Sequence, residues 1–118
     1  MVANKDSDPK ESSLTYSSYL KIQELVSLQT PRARPPAHDE MLFIVVHQSY
    51  ELWFKQILFE VEAVIDHLGR DDIFSSLKYL DRIVEIFKLL VHQIDILETM
   101  RPIEFNQFRS NLNPASGF

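Results

Sequence analysis

The stretch HDEMLFIVVHQSYELWFKQILFEVEAVIDHLG, residues 38–69, decides the fold of this chain. Its apolar side chains recur every three or four residues, which is the period of an α-helix and not of a strand. Asp39 and Glu40 favour the positive end of a helix, and Gly69 stands where a helix can terminate. We therefore expect one helix over about 39–68, roughly 45 Å long. Its predicted apolar face consists of Phe43, Val46, His47, Tyr50, Phe54, Ile57, Val61, Val64 and Leu68.

A second apolar stripe begins after the short break GRDD, residues 69–72. It predicts another long helix over about 71–100, whose first turn Asp71 or Asp72 can cap. Because so short a break leaves no chain for a crossover, the two long helices are expected to form an antiparallel hairpin. The predicted stripe of the second helix consists of Ile73, Leu77, Leu80, Val84, Phe87, Leu90 or Val91, Ile94 and Leu97.

Shorter segments precede this hairpin. Residues 1–13 are polar and predict a flexible tail. Ser17 or Ser18 can cap a short helix over about 19–28. The three prolines of TPRARPP, residues 30–36, forbid a continuous helix and predict a stiff, extended linker.

Another short helix is expected after the hairpin, because Pro102 can occupy the first turn of PIEFNQFRSNL, residues 102–112. The chain has only two glycines, and no segment alternates like a strand. The predicted fold class is all-α: a helical bundle built on two long antiparallel helices with short helices at both ends, over residues 14–118. Since the chain ends on a large apolar residue, Phe118, we expect it to be the N-terminal piece of a longer protein.

The composition narrows the classes of function. With 118 residues, 45% hydrophobic and 25% charged, the chain resembles one soluble domain. The net charge of −5 and 12 scattered basic residues argue against nucleic acid as a partner. The absence of cysteine excludes disulfides and thiolate chemistry. The longest uncharged run, Met41–Tyr50, is too short to span a bilayer, and the N-terminus lacks the apolar core of a secretory signal, so we expect a cytoplasmic protein.

Metal and nucleophilic chemistry find weak support in the residues. The chain has four histidines: His38, His47, His67 and His92. None has a glutamate three residues before it, so the Glu-x-x-His pairs of a di-iron bundle are absent. No serine has the flanking glycines of a nucleophile elbow. Glu51, Glu60 and Glu62 are interpreted as a solvated or salt-bridged face of the first long helix.

Two interpretations of His47 remain open on spacing alone. The simpler one is a core histidine that bonds a carbonyl or a residue on a neighbouring helix, because an imidazole buried without partners is costly. The other is that His47, with Tyr50, Trp53 and Phe54, lines a pocket for a flat aromatic molecule. Spacing favours the simpler one.

The segment EFNQFR, residues 104–109, leaves a similar choice. Helical spacing places Phe105, Phe108 and Arg109 on one patch. A guanidinium offers two parallel hydrogen bonds to a carboxylate, and the nearby rings can hold an apolar body. The simpler interpretation, which spacing favours, is an ordinary contact between helices in which Arg109 reaches out to solvent.

Three segments carry a resemblance to a known family: residues 38–60, FKLLVHQIDILETMRPIEFNQFR at 87–109, and NLNPASGF at 111–118. Over about Leu14–Phe118 the chain resembles the tryptophan 2,3-dioxygenases, which are haem enzymes. The resemblance implies insertion of both atoms of dioxygen across the C2–C3 bond of the indole of L-tryptophan. The product is N-formylkynurenine, in the first step of tryptophan catabolism by the kynurenine pathway. It also implies haem b as cofactor and a helical homotetramer.

The resemblance implies roles for single residues. His47 is expected to be the catalytic residue that bonds the indole N–H, Phe43 to pack on the ring, and Arg109 to pair with the substrate carboxylate. The N-terminal segment is expected to reach into a neighbouring subunit's site. The implied substrate-binding residues are Phe43, Ile44, Val45, Val46, His47, Phe105, Arg109, Ser116, Gly117, Tyr16, Tyr19 and Leu20. The implied haem-pocket residues are Phe43, His47, Tyr50, Trp53, Ser116 and Gly117.

One part of the family's site has no counterpart in this sequence. The family's iron is held by a histidine far downstream, which His38, His67 and His92 do not match, so no metal ligand is expected here. We expect the chain to supply the distal wall of the site and, in isolation, neither to hold haem tightly nor to turn over. The alternatives are a non-catalytic helical interaction module that has lost haem binding, and a related haem enzyme acting on another indole or aromatic amino acid.

Overall fold

A computed structural model of the chain describes residues 14–115. These residues fall into two units, one ending at Thr30 and the other beginning at Pro31. The predicted tail, residues 1–13, and the predicted site residues Ser116 and Gly117 lie outside the described residues.

The first unit contains two short helices, α1 (Tyr16–Leu20) and α2 (Ile22–Leu25). Thr15 caps α1, because its hydroxyl accepts a hydrogen bond of 3.1 Å from the Ser18 N–H, and the Ser18 hydroxyl accepts one of 2.9 Å from the Thr15 N–H. Lys21 has a φ of 53° and separates the two helices. The prediction of a single helix over about 19–28, capped by Ser17 or Ser18, was therefore wrong.

The second unit contains three α-helices and one 3₁₀ helix. They are α3 (Glu40–Gly69), α4 (Ile73–Leu97), α5 (Pro102–Asn106) and the 3₁₀ helix Arg109–Leu112. Residues 14–115 contain no strand, so the all-α class is confirmed. Within that range no helix combines the length and apolar character that crossing a membrane requires. Helix α3 matches its predicted bounds to within one residue.

Helix α4 is shorter than predicted at both ends. Asp72 caps it, since its carboxylate accepts a hydrogen bond of 3.1 Å from the Ser75 N–H. At the other end, residues 98–100 form turns and bends instead of helix. The reason is Pro102, which disfavours the helical conformation of the residue before it. Arg101 is accordingly extended, with φ −80° and ψ 156°.

Helices α3 and α4 pack antiparallel, as predicted. The Tyr50 hydroxyl, in the first half of α3, donates a hydrogen bond of 2.6 Å to the Leu90 carbonyl, late in α4. Further along α3, Glu60 accepts hydrogen bonds of 3.0 and 3.3 Å from Arg82. Glu60 is only 2% exposed and forms a salt bridge with Arg82, so the salt-bridged interpretation is confirmed for this residue and the solvated one is not.

The face that α4 turns toward α3 lies one residue before the predicted stripe. Its buried residues are Ser76, Ile83, Ile86 and Leu90. Val84 and Phe87, which were predicted to be core, are half exposed. The helix carries two adjacent apolar stripes, and periodicity cannot rank them. The hydrogen bonds to Tyr50 and Glu60 select the stripe that faces α3.

The proline-rich segment before α3 forms no helix, as predicted, but it is packed and does not serve only as an extended linker. Ala33 is 1% and Ala37 8% exposed, and both contact Phe108 in one buried cluster. Glu40, at the start of α3, accepts backbone hydrogen bonds from Arg32 at 2.7 Å and Ala33 at 2.9 Å. The Glu40 carboxylate thus satisfies the N–H groups of Arg32 and Ala33, which have no helical partner because the neighbouring prolines prevent regular secondary structure.

Candidate functional site

Three phenylalanines from two parts of the second unit meet near the start of α3. The Phe43 ring centroid lies 5.7 Å from that of Phe105 and 5.4 Å from that of Phe108, and the last two are also 5.4 Å apart. Phe108 meets both neighbours edge-on and is fully buried, whereas Phe43 and Phe105 remain partly exposed. Edge-to-face packing of this kind adds to the stability that buried area provides.

His47 lies one turn after Phe43 on α3, with its ring centroid 4.2 Å from that of Phe43. Its Nδ1 is 2.7 Å from the Phe43 carbonyl oxygen. Because a carbonyl only accepts, Nδ1 carries the proton, and Nε2 of the neutral ring is left as an acceptor. The side chain is exposed. The simpler interpretation, which spacing favoured, was therefore wrong about burial in a core, although the bond to a carbonyl that it predicted is present.

Arg109 follows Phe108 and begins the 3₁₀ helix. Its guanidinium carbon lies 5.9 Å from the Phe105 ring centroid, within range of a cation–π contact. No carboxylate among residues 14–115 lies within ion-pair distance of it. Within the described part of the chain, this guanidinium therefore lies beside the aromatic rings without a carboxylate partner.

Helix α5, which carries Phe105, is fixed at its start by Glu104. The Glu104 carboxylate accepts hydrogen bonds from the Arg101 N–H at 2.8 Å and from its Nε at 2.7 Å. These bonds and one with Asp39 lower the pKa of Glu104 to about 2. The interaction between the Asp39 and Glu104 carboxyl groups is also the chief cause of the raised pKa of Asp39, which lies just before α3. The two carboxyl groups, one just before α3 and the other in α5, thus lie close together and line one cavity.

An apolar cavity of about 290 Å³ lies against the two exposed rings. It is lined by Phe43, Leu97, Met100, Pro102 and Phe105. Sequence reasoning placed Leu97 in the stripe of α4 and Pro102 at a helix start, and attached no site to either. No signal in the sequence predicts that these residues meet, because their proximity depends on the turn formed by residues 98–100.

The other predicted residues of α3 separate around the helix. Val46 is buried, Ile44 is partly buried, and Val45 is exposed beside a different cavity. Tyr50 and Trp53 pack against the core between α3 and α4. They are not brought into the cluster of Phe43.

The remaining predicted residues lie elsewhere in the chain. Tyr16, Tyr19 and Leu20 are exposed on α1, in the first unit. Ser116 and Gly117 lie outside the described residues. The structure therefore brings together four of the predicted site residues: His47, Phe43, Phe105 and Arg109.

A metal site is not formed within residues 14–115, where no three histidine, cysteine or acidic side chains are grouped to hold an ion. Two of the remaining histidines face carboxylates of their own hairpin. His67 Nδ1 lies 3.1 Å from Asp72 Oδ2, and His92 Nδ1 lies 3.9 Å from Asp95 Oδ2. The described residues thus form an aromatic cluster but no group of three side chains that could hold a metal ion.

Comparison with known proteins gives a consistent result. The sequence profile of the Tryptophan 2,3-dioxygenase family matches residues 2–118. The chain is 55% identical over 105 residues to the curated tryptophan 2,3-dioxygenase of Herpetosiphon aurantiacus, covering 89% of this chain and 40% of that protein. It is 48% identical to that of Anaeromyxobacter sp. (strain K), covering 96% and 42%, and 44% identical to that of Aedes aegypti, covering 99% and 34%.

The match covers nearly all of this chain but only part of each relative. The chain spans between about one third and two-fifths of the length of these curated relatives. The family profile, by contrast, extends over nearly the whole of this chain. The chain therefore belongs to the tryptophan 2,3-dioxygenase family.

Proposed function

We propose that this chain provides the substrate-binding wall of an enzyme that oxidises L-tryptophan with dioxygen to N-formylkynurenine, at the head of the kynurenine pathway. The observation that carries the proposal is the order of four contacting side chains. The His47 ring packs at a tilt against Phe43, Phe43 stacks on Phe105, and Phe105 lies under Arg109. An acceptor, an aromatic surface and a cation thus follow one another, as the indole N–H, the ring and the carboxylate do in tryptophan.

His47 supports the proposal at the indole end. Indole is apolar except for one N–H donor, so a site that selects it needs an aromatic surface and one acceptor. The bond from Nδ1 to the Phe43 carbonyl leaves Nε2 as that acceptor. His47 would then hold the indole proton at Nε2 and orient the ring.

Arg109 supports the proposal at the amino acid end. Its planar guanidinium can form two parallel hydrogen bonds with the substrate carboxylate. Because Phe105 lies against it, the cation is held next to the surface on which the ring would pack. Fixing both ends places C2 and C3 for reaction, which is catalysis by orientation.

Haem b is the cofactor that the family implies, and when bound it would activate the dioxygen. Phe43 and His47 would border it. The histidines present do not fit the iron itself, because His38, His67 and His92 do not match the downstream histidine that the resemblance implies as the axial ligand. We propose that this ligand lies in the part of the family's length that this chain does not cover, and we derive no step through the haem.

This division predicts that the 118-residue chain alone binds haem poorly. Titrated with haem, it is expected to give no tight, stoichiometric Soret band, because the family's axial histidine is expected outside this chain. A full-length relative, such as the protein of Herpetosiphon aurantiacus, is the control and should give one. A stoichiometric Soret band from the isolated chain, together with tryptophan-dependent oxygen uptake, would contradict the proposed division.

Assembly is proposed on the family's pattern as a cytoplasmic homotetramer in which the N-terminal segment reaches a neighbouring subunit. The exposure of Tyr16 at 78% and Tyr19 at 71% supports this, because large aromatic side chains in a short helical unit are suited to covering by another surface.

The role of His47 can be tested by His47→Ala in an active protein that contains this chain. Loss of one neutral hydrogen bond, about 0.5–1.5 kcal/mol, should lower the rate of N-formylkynurenine formation roughly threefold to tenfold. The melting temperature should hardly change, because the ring is exposed and bonds only its own helix.

The matched control is His92→Ala, an exposed histidine of α4, which should change neither quantity. Unchanged activity combined with a large loss of stability in His47→Ala would show that His47 is structural and would refute this part of the proposal.

A further inference from the structure

Glu40, the first residue of α3, forms hydrogen bonds with both ends of the segment 32–37. The side chain is 1% exposed, and its carboxylate accepts hydrogen bonds from the N–H groups of Arg32 and Ala33. Its own N–H donates to the Ala37 carbonyl at 3.2 Å. A single residue therefore attaches both ends of this segment to the start of the helix that carries Phe43 and His47.

The segment 32–37 packs against Phe108. Ala33, Ala37 and Phe108 form one buried cluster, and no part of Phe108 is exposed. Because protein interiors are close-packed, a ring enclosed on all sides has no freedom to move without its cover. The position of the segment thus determines the position of the Phe108 ring.

Phe108 in turn contacts both rings of the candidate site. It meets Phe43 at an interplanar angle of 66° and Phe105 at 88°. Those two rings come from different helices, α3 and α5, and Phe108 packs between them and the segment. A displacement of Phe108 is therefore expected to move these two rings, which line the apolar cavity of about 290 Å³.

We propose that Glu40 is a positioning residue, which sets the spacing of Phe43 and Phe105 by holding the segment 32–37 over Phe108. It takes no part in chemistry, because both of its oxygens are engaged with backbone N–H groups. The consequence for tryptophan rests on the proposed function, whereas the consequence for the two rings does not.

The test is Glu40→Gln in the 118-residue chain labelled with 4-fluorophenylalanine. The amide keeps the size of the side chain but replaces one acceptor with a donor, so one buried N–H loses its partner. We expect the fluorine signals of Phe43 and Phe105 to shift, while that of Phe74, which is 88% exposed, stays in place. Amide exchange at Arg32 or Ala33 should accelerate about tenfold or more.

Glu60→Gln is the matched control. Glu60 is also a buried carboxylate of α3, but its partners are Arg82 and Gln56, on the side facing α4. The control should lower overall stability while leaving the Phe43 and Phe105 signals unchanged. A general effect of removing a buried charge is thereby separated from an effect on the two rings.

Three results would overturn the proposal. The first is unchanged ring signals in a Glu40→Gln chain whose segment exchanges freely. The second is an equal shift in Glu60→Gln. Should Glu40→Gln not fold, Glu40→Asp, which keeps the charge but is too short for both bonds, is expected to shift the same signals. Unfolding of both variants, the third result, would make Glu40 a determinant of stability alone.

Since no outcome depends on activity, a failure of the proposed function is detected separately, by Arg109→Ala.

Discussion

Replacing Phe108 with alanine is expected to lower the free energy of unfolding by about 3–5 kcal/mol, because it removes a fully buried aromatic side chain and leaves a cavity. The ring contacts Ala33, Ala37, Phe43 and Phe105, so no single neighbour can move in to fill the space. Urea denaturation of Phe108→Ala and of the unchanged chain measures the difference. Any aromatic-ligand binding should be lost in parallel.

The control is Phe74→Ala, which makes the same chemical change in the first turn of α4. Phe74 is 88% exposed, so its removal should change the free energy of unfolding by no more than about 0.5 kcal/mol. Equal losses in the two variants would show that Phe108 is not the enclosed ring described above. They would also remove the basis for the positioning role of Glu40.

The long helices could be predicted because their signals are local. The period of apolar residues, the two aspartates of GRDD and Pro102 each act within one or two turns. Helix α3 accordingly agreed with its predicted bounds to one residue. The rotation of α4 could not be predicted, because Ile83 and Val84 are equally apolar. The choice between them depends on Tyr50 and Glu60, which lie in another helix.

The candidate site could be predicted only through the family resemblance. Spacing alone favoured a buried His47, whereas the structure shows this side chain exposed. It also favoured a solvent-directed Arg109, which is indeed exposed, but it did not predict the contact of this guanidinium with the Phe105 ring. Phe108 and Glu40, on which the cluster depends, were missed as supports. Their signal is tertiary: a glutamate at a helix start is common, and only the folded chain shows that it accepts N–H groups seven and eight residues earlier.

Arg109→Ala is expected to raise the KM for tryptophan roughly 30- to 150-fold in an active protein that contains this chain. The change removes a charge-assisted pair with the substrate carboxylate, worth about 2–3 kcal/mol. Stability should change little, since the guanidinium is exposed and has no carboxylate partner among residues 14–115. Steady-state kinetics with tryptophan, and with an analogue lacking the carboxylate, measure the effect.

Two control variants separate the role of the guanidinium of Arg109 from a general effect of removing a positive charge. Arg109→Lys keeps the charge but loses the planar fork, so it should lie between the native protein and Arg109→Ala. Arg70→Ala removes another exposed arginine, whose partner at 2.6 Å is Asp66 at the far end of α3, and should leave KM unchanged. The analogue without a carboxylate should bind Arg109→Ala and the native protein equally, because the lost interaction is one it never makes. If KM for tryptophan were the same in all variants, the contact with Phe105 would be the whole role of Arg109, and the substrate carboxylate would have to bind elsewhere.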